Sequence, residues 1–401
     1  MHNILHANEL GLDIQVQIDT SNVMSRVRAL RDHFTTATQK DVDQWSTEHK
    51  ISGKAEFINA TTIKVNNQIF QAKSFILAVG STPNIDQTMQ QELGSRLISS
   101  NQIFELEQLP NSLAIIGSGV IALELAQAMQ RLGVKVDVFA RSKKIGSLTS
   151  PRLQKFAQEE ISQELNIHFE VLPDAMQKVK NKISINFTED QQTKNIEVDY
   201  VLTATGRKSL LDTLNLQKID STYSSSKQIN ISSQTKQLGN YPIFIVGDAY
   251  TTTPIQHEAA HEGRLAVHNC LNYPQINNIK ILTPLSIVFS QPEMAIIGQS
   301  LKQLEENKIE YICGFIDYKQ QGRALLMSEN KGAAEIYIDK QSKIILGAEL
   351  FVSSAEHLAH LLAWIIDEKL TVNEILQKPF YHPTLEEGLR TALKHAKRQL
   401  N

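Results

Sequence analysis

The six residues Gly117-Ser118-Gly119-Val120-Ile121-Ala122 restrict the fold of this 401-residue chain more than any other stretch. They follow the apolar run LAII at 113–116 and open a helix-patterned segment that leads into a second apolar run, VKVDVFA at 134–140. Strand, helix, strand is the repeating unit of a doubly wound α/β domain. Gly117 permits the tight turn and Gly119 lets backbone amides approach a pyrophosphate. Ala122, in place of a third glycine, keeps the helix close to the strand while the helix N-terminus faces the anion. A glycine pattern alone would say little; with both strands and the helix around it, dinucleotide binding outweighs a merely tight structural turn.

The end of the second strand reports on the nucleotide. NAD sites usually place an acidic residue there for the ribose 2′-hydroxyl, whereas an arginine accommodates a 2′-phosphate. Here Ala140 takes that position and Arg141, Lys143 and Lys144 follow, which points to NADPH or mixed use; the competing reading is a solvated basic loop.

The rest of the composition is that of a globular protein. With 41% hydrophobic residues it can bury sizeable cores, and at ordinary domain sizes it divides into roughly two to four domains. Forty basic against 43 acidic residues, a net charge of −3, leave no footprint of a nucleic-acid binder. No apolar run is long enough to span a bilayer, and the start MHNILHANEL shows no signal-peptide pattern, so a cytoplasmic protein is expected. Cys270 and Cys313 have neither redox-pair nor zinc spacing and read as isolated core thiols. Val23, Val27, Leu30, Phe34, Ala37 and Trp45 predict an amphipathic helix capped by Asp19, Thr20 or Ser21. Asn66-Asn67 predicts a hairpin turn before an apolar strand at 75–79.

Further segments hint at a second cofactor. FILAVGSTP and YVLTATGR each end an apolar strand in a small-residue turn, at Gly80-Ser81 and at Gly206-Arg207. YPIFIVGDAYTTTPIQHEAAHEGRLA runs a strand into Gly247-Asp248, then a loop and a helix starting near Gln256 and His257. Asp248 could bind sugar or ribityl hydroxyls and the helix start a polarised ring oxygen; taken alone, Asp248 reads as a helix cap. Near the C-terminus His382 precedes a proline and Glu387 follows five residues later, where a carboxylate can orient an imidazole for acid or base work. A packed YHP turn is the plainer alternative. The stretch SSAEHLAHLLAWIIDEKLTVNEIL predicts one long amphipathic helix running towards His382; its His357 and His360 lack a third partner and read as interface or surface residues, so no metal site is expected.

In this order the fingerprint, the paired small-residue turns, IFIVGDA, IVFSQPEMAIIG and the terminal YHPTLEEGLRTAL resemble the flavin-dependent pyridine nucleotide-disulfide oxidoreductases, most closely dihydrolipoamide dehydrogenases, over essentially the whole chain. The resemblance implies an α/β protein with two Rossmann-like nucleotide-binding domains and a C-terminal α/β interface domain. Residues 1–110 and 231–280 would form the FAD-binding domain, 111–230 the NAD(P)-binding domain and 281–401 the homodimer interface. It further implies that Gly117, Gly119, Ala122, Glu124, Arg141 and Gly206 serve NAD(P)H, with Glu124 near nicotinamide and flavin. Gly80, Ser81, Asp248, Gln256 and His257 would serve FAD, and His382 with Glu387 would be an acid/base pair that reaches a thiol of the other subunit. The expected reaction is oxidation of a small dithiol, or of a lipoyl-domain partner, with NAD(P).

The departure from the family pattern is equally specific. Its flavin fingerprint and the helix with two cysteines four residues apart have no counterpart, and Met1 corresponds to a point just beyond that helix. The FAD domain is therefore expected to be incomplete at its N-terminus, and the chain as written inactive in disulfide exchange, poorly soluble and unable to hold FAD. A mercuric- or glutathione-reductase-like enzyme using NADPH is the runner-up, although no cysteine pair follows His382. A non-catalytic dimerisation or nucleotide-binding module is the alternative from another class.

Overall fold

In the computed structural model of the chain, the structure describes Ala7 and residues 11–250, 254–278 and 280–400. Most of the opening MHNILHANEL, and the threonines at 251–253, lie outside that set. The architecture is mixed α/β, in two compact units.

The first unit comprises residues 1–28, 85–205 and 283–401. The fingerprint strand Ser112–Ile116 is buried along its whole length, as a parallel strand covered on both faces should be. It sits in the middle of a five-stranded parallel sheet, ordered Leu97–Ser99, Tyr200–Thr203, Ser112–Ile116, Lys135–Ala140 and Asn166–Phe169. The helices Val120–Arg131 and Pro151–Ile161 supply much of the core around it, through Leu123, Ala126, Leu153 and Ala157. A three-stranded antiparallel meander, Pro173–Val179, Lys182–Glu189 and Gln192–Val198, covers a second core built on Phe139 and Phe187. The C-terminal part is a five-stranded antiparallel sheet ordered Leu285–Val288, Glu293–Gly298, Ile345–Val352, Gly332–Asp339 and Tyr311–Asp317, packed with the helices Ala355–Asp367 and Glu386–Gln399. Val288, Met294 and Phe351 from this sheet join the core of the fingerprint sheet.

The second unit comprises residues 29–84 and 206–282. It contains the antiparallel strands Ala55–Asn59, Thr62–Val65 and Gln68–Gln71, with Asn66 at φ 55° in the expected hairpin turn. The strands Phe75–Leu77 and Ile243–Ile245 pair in parallel, Ser81–Pro83 pairs antiparallel with Arg207–Ser209, and the helix Gln256–Asn272 follows. Residues 206–230 thus group with this unit, and the parallel sheet of the first unit draws in Leu97–Ser99 from before residue 111.

Two helix expectations are corrected. The helix Thr20–Asp43 forms, with Asp19 accepting the Asn22 N–H at 2.9 Å, but it ends before Trp45. It buries only Met24 and leaves Leu30 and Phe34 exposed. Period alone identifies an apolar stripe and not what covers it. The expected long helix beyond Ser353 is two: Ala355–Asp367 and Val372–Leu376. Lys369 takes φ 54°, and Thr371 and Glu374 form a reciprocal capping box that starts the second helix afresh.

Candidate functional site

At the fingerprint, Gly117 has φ 119°, and a Cβ there would lie 2.5 Å from the Ala204 carbonyl oxygen, so only glycine lets the two strand ends approach. Gly119 is the N-cap of the helix Val120–Arg131, and a Cβ on it would meet no atom within 4 Å. That open space at a helix N-terminus is what a phosphate needs, and the residues present fit a dinucleotide. Ala122 is buried in the first turn of the helix. Ser118 Oγ donates to the Lys144 carbonyl at 2.7 Å, and the Gly146 N–H donates to the Ser118 carbonyl at 2.8 Å, closing the 143–148 loop onto the turn.

Ala140 is buried at the end of its strand and Arg141 is exposed beyond it. Lys143 pairs with Glu170 across 3.5 Å. Glu124, five residues after the N-cap, accepts the Phe289 N–H at 2.9 Å. Phe289 carried no signal of this role, because the two residues are 165 apart in the chain.

In the second unit Gly80 takes φ 69° and accepts the Leu210 N–H at 3.1 Å, and a Cβ on it would meet no atom within 4 Å. Ser81 Oγ lies 3.5 Å from Asp248 Oδ2. Asp248 therefore meets Ser81, while Ile255, which has no side-chain cap bond, precedes the helix Gln256–Asn272. Arg207 clamps Ser81, with Nε donating to Oγ and Nη2 to the carbonyl, both at 2.8 Å. In the sequence Arg207 stands out only as the end of the ATGR turn. Gln256 and His257 are exposed in the first helical turn, and Gly206 takes φ 105° with its carbonyl accepting the Asn84 N–H at 2.9 Å. The Gly247 N–H donates to Glu262 at 2.8 Å, and Lys236 holds the other carboxylate oxygen of Glu262 at 2.7 Å. Asp248 and Ser81 Oγ can accept hydrogen bonds from ribityl hydroxyls of a flavin.

His382 and Glu387 are joined, Nδ1 to Oε2, at 2.9 Å, with the imidazole 80% exposed. Glu387 lies in the first turn of Glu386–Gln399 and also accepts the Thr384 N–H, while Thr384 Oγ1 ties back to the Tyr381 carbonyl at 2.8 Å. Burial works to raise the Glu387 carboxyl, but the hydrogen bonds from His382 and Thr384 outweigh it and hold the group below the usual carboxylate value. An imidazole tethered through Nδ1 to a carboxylate keeps Nε2 for proton exchange.

Both cysteines are free thiols. Burial pushes the Cys313 thiol up to about 12, and Cys270 Sγ lies 2.9 Å from Ser74 Oγ. His360 Nδ1 meets the Glu356 carbonyl and His357 pairs with Glu356; among the described residues no cluster of three or more metal-ligating side chains occurs. No helix among them is long and apolar enough to cross a membrane.

A family model described as pyridine nucleotide-disulphide oxidoreductase matches residues 8–263, and one for the dimerisation domain of the same family matches residues 285–393. A mercuric reductase of Staphylococcus aureus is 27% identical over 343 residues, covering 85% of this chain and 62% of that protein, so the chain spans less than two thirds of that relative's length. A dihydrolipoyl dehydrogenase of Geobacillus stearothermophilus is 25% identical over 396 residues, covering 95% of this chain and 81% of that protein. The crystal structure of LpdA from Mycobacterium tuberculosis superposes with a TM-score of 0.82 at 20% identity, covering 99% of this chain and 86% of that one.

Proposed function

Because the chain belongs to the pyridine nucleotide-disulphide oxidoreductase family, a family that binds FAD and NAD(P), we propose that it serves a dihydrolipoyl dehydrogenase type of reaction, oxidising dihydrolipoamide or a similar dithiol with NAD(P). The observation that carries this reading is the exposed His382 held by Glu387 at 2.9 Å. Oxidising a dithiol to a disulfide removes two electrons and two protons. His382 Nε2 would take the proton of a substrate thiol as it becomes a thiolate and return it in the reverse direction, while Glu387 fixes the tautomer and stabilises the imidazolium; the disulfide whose S–S bond such a thiolate would break is supplied by neither Cys270 nor Cys313. FAD, when bound, supplies the two-electron relay between nicotinamide and disulfide. Gly80, Ser81 and Asp248 are the residues that would hold its ribityl side, with Gln256 and His257 at the following helix start. Gly117 and Gly119 would admit the dinucleotide, and the exposed Arg141 beside Ala140 favours a 2′-phosphate.

Neither Cys270 nor Cys313 serves as the redox pair in this reading: they are 43 positions apart, and the Cys313 thiol is held protonated at neutral pH. A mercuric-reductase type of reaction is the second reading, favoured by the 27% identity to the Staphylococcus aureus enzyme and by the basic strand end. The test uses the protein purified from its own host. Its intact mass is compared with 45.0 kDa. Its rate of NAD(P)+ reduction by dihydrolipoamide is then compared with NADPH oxidation by mercuric ion and by glutathione disulfide. Dithiol-driven turnover that falls about 100-fold or more in His382→Gln is the expected result. Faster turnover with mercuric ion favours the second reading, and a 45.0 kDa product without turnover leaves a non-catalytic nucleotide-binding dimer.

A further inference from the structure

The imidazole of His382 is exposed, so packing does little to orient it. Its bond to Glu387 depends on the turn at 383–385, which separates a residue outside the helix Glu386–Gln399 from one inside its first turn. Two polar side chains from a distant part of the chain hold that turn. Tyr318, just after the strand Tyr311–Asp317, donates its hydroxyl to the Leu385 carbonyl at 3.1 Å. Gln321 donates from Nε2 to the Thr384 carbonyl at 2.7 Å, while its Oε1 accepts the Ala324 N–H at 2.7 Å. Both ends of the amide are thus engaged, and a flipped amide would set like against like at each. The same turn supplies the Thr384 N–H that Glu387 accepts.

Tyr318 is 1% exposed and Gln321 8%. A phenylalanine would fill the Tyr318 site as well, and a buried hydroxyl is tolerated only with a partner. Burial pushes the phenol above its usual value and so keeps it a donor. Gly388 makes room for the ring, because a Cβ there would run into the Tyr318 hydroxyl. The carbonyls on either side of the helix start are therefore fixed from within the fold, and the Glu387 carboxylate is fixed with them. We propose that Tyr318 and Gln321 are positioning residues for the His382 and Glu387 pair, holding the turn in the arrangement that keeps the imidazole proton on Nδ1 and leaves Nε2 open. This deepens the acid/base reading of His382 and rests on it.

Nitrogen NMR of the full chain with labelled histidine rings tests it, at a pH where the imidazole is neutral; His382→Gln identifies the signals. In the unsubstituted protein Nδ1 should carry the proton and Nε2 should not. Tyr318→Phe and Gln321→Glu should both move the two nitrogens towards the mixed-tautomer values that Glu387→Gln gives. Gln321→Glu keeps an oxygen for the Ala324 N–H, so a residue serving only as the cap of the helix Gly322–Leu326 would leave His382 unchanged. Nitrogens that stay in place in both variants would overturn the assignment. In dithiol-driven turnover the same variants should lower kcat about tenfold with KM within about twofold. Moved nitrogens with unchanged turnover would fail the acid/base reading and still support the two residues as holding the pair. No preference for Nδ1 in the unsubstituted protein would mean that the pair does not form, and the inference falls with it.

Discussion

His168, on the strand Asn166–Phe169, is buried between the rings of Phe139 and Phe187, each with its centroid 4.8 Å away. Its Nδ1 meets Glu189 at 2.9 Å and its Nε2 meets Asp137 at 3.2 Å. Asn166 donates to Asp137 at 2.6 Å and Lys194 pairs with Glu189 at 2.7 Å. Burial works against a charged imidazole, but the bonds to Asp137 and Glu189 outweigh it and hold His168 above its ordinary value. Burial likewise pushes Asp137 up, yet the bonds from His168 and Asn166 leave it below the usual carboxylate value. The raised imidazole therefore stabilises the fold fully below its unfolded value near pH ~6.5, and that contribution is lost as pH rises through the raised folded value. The Asp137 contribution runs the other way, present above its unfolded value near pH ~3.9 and lost as pH falls through the lowered folded one. His168→Gln should cost about 2–4 kcal/mol at pH 6, and the deficit should shrink towards pH 9; thermal melts of both proteins across that range check it. A deficit independent of pH would mean that packing alone is lost. The partners of His168 lie 31 residues before and 21 after it. No local pattern joins them, whereas His382 and Glu387, five apart, were legible because one turn and one helix start bring them together.

Between elements, one buried carboxylate meets the starts of two helices that each carry their own serine cap. Glu349, in the middle of Ile345–Val352 and fully buried, accepts the N–H groups of Thr149 at 2.7 Å, Ser150 at 3.0 Å and Leu301 at 2.9 Å, together with the Thr149 hydroxyl. Ser150 is the N-cap of Pro151–Ile161 and Leu301 the first residue of Leu301–Glu306, so the charge faces the starts of two helices. Glu349→Ala should destabilise the protein by about 3–5 kcal/mol, since it strands several buried donors. Urea unfolding gives the measure, and a loss under about 1 kcal/mol would show that water replaces the carboxylate at little cost. In the sequence ILGAELFV a lone glutamate in an apolar run marks a buried charge without naming its partners. Element types, by contrast, followed from period and turn residues: the Asn66 hairpin, the strand Lys135–Ala140 and the helix Val120–Arg131 all stand where the pattern put them. The break after Asp367 was missed because the hydrophobic period survives it; only the capping box at Thr371 and Glu374 records the interruption.

At the scale of the molecule, the helix Ala355–Asp367 buries Leu358, Ala359 and Leu362 while presenting Trp364, 64% exposed, on its other side. The region matches a dimerisation domain, and an exposed tryptophan in it is the side chain expected to anchor a second copy. The chain should sediment as a dimer, and Trp364→Arg should weaken self-association about tenfold or more without altering the circular dichroism spectrum. Analytical ultracentrifugation over a dilution series is the measurement, and an unchanged dimer would place the contact elsewhere. What the sequence determined by itself was everything carried by short spacing: the strand, turn and helix of the fingerprint, the small-residue turns, the His382 and Glu387 pair, and through their order the family. Such features are set by backbone sterics and hydrogen bonds within a few residues, so each is complete in its own stretch of chain. Only the tertiary structure decided that Glu124 bonds to Phe289, that Glu349 faces two helix starts, that His168 joins Asp137 to Glu189, and that Leu30 and Phe34 lie exposed. Those contacts depend on strand register and on which faces meet, and residues far apart in the chain become neighbours only after the sheets have formed.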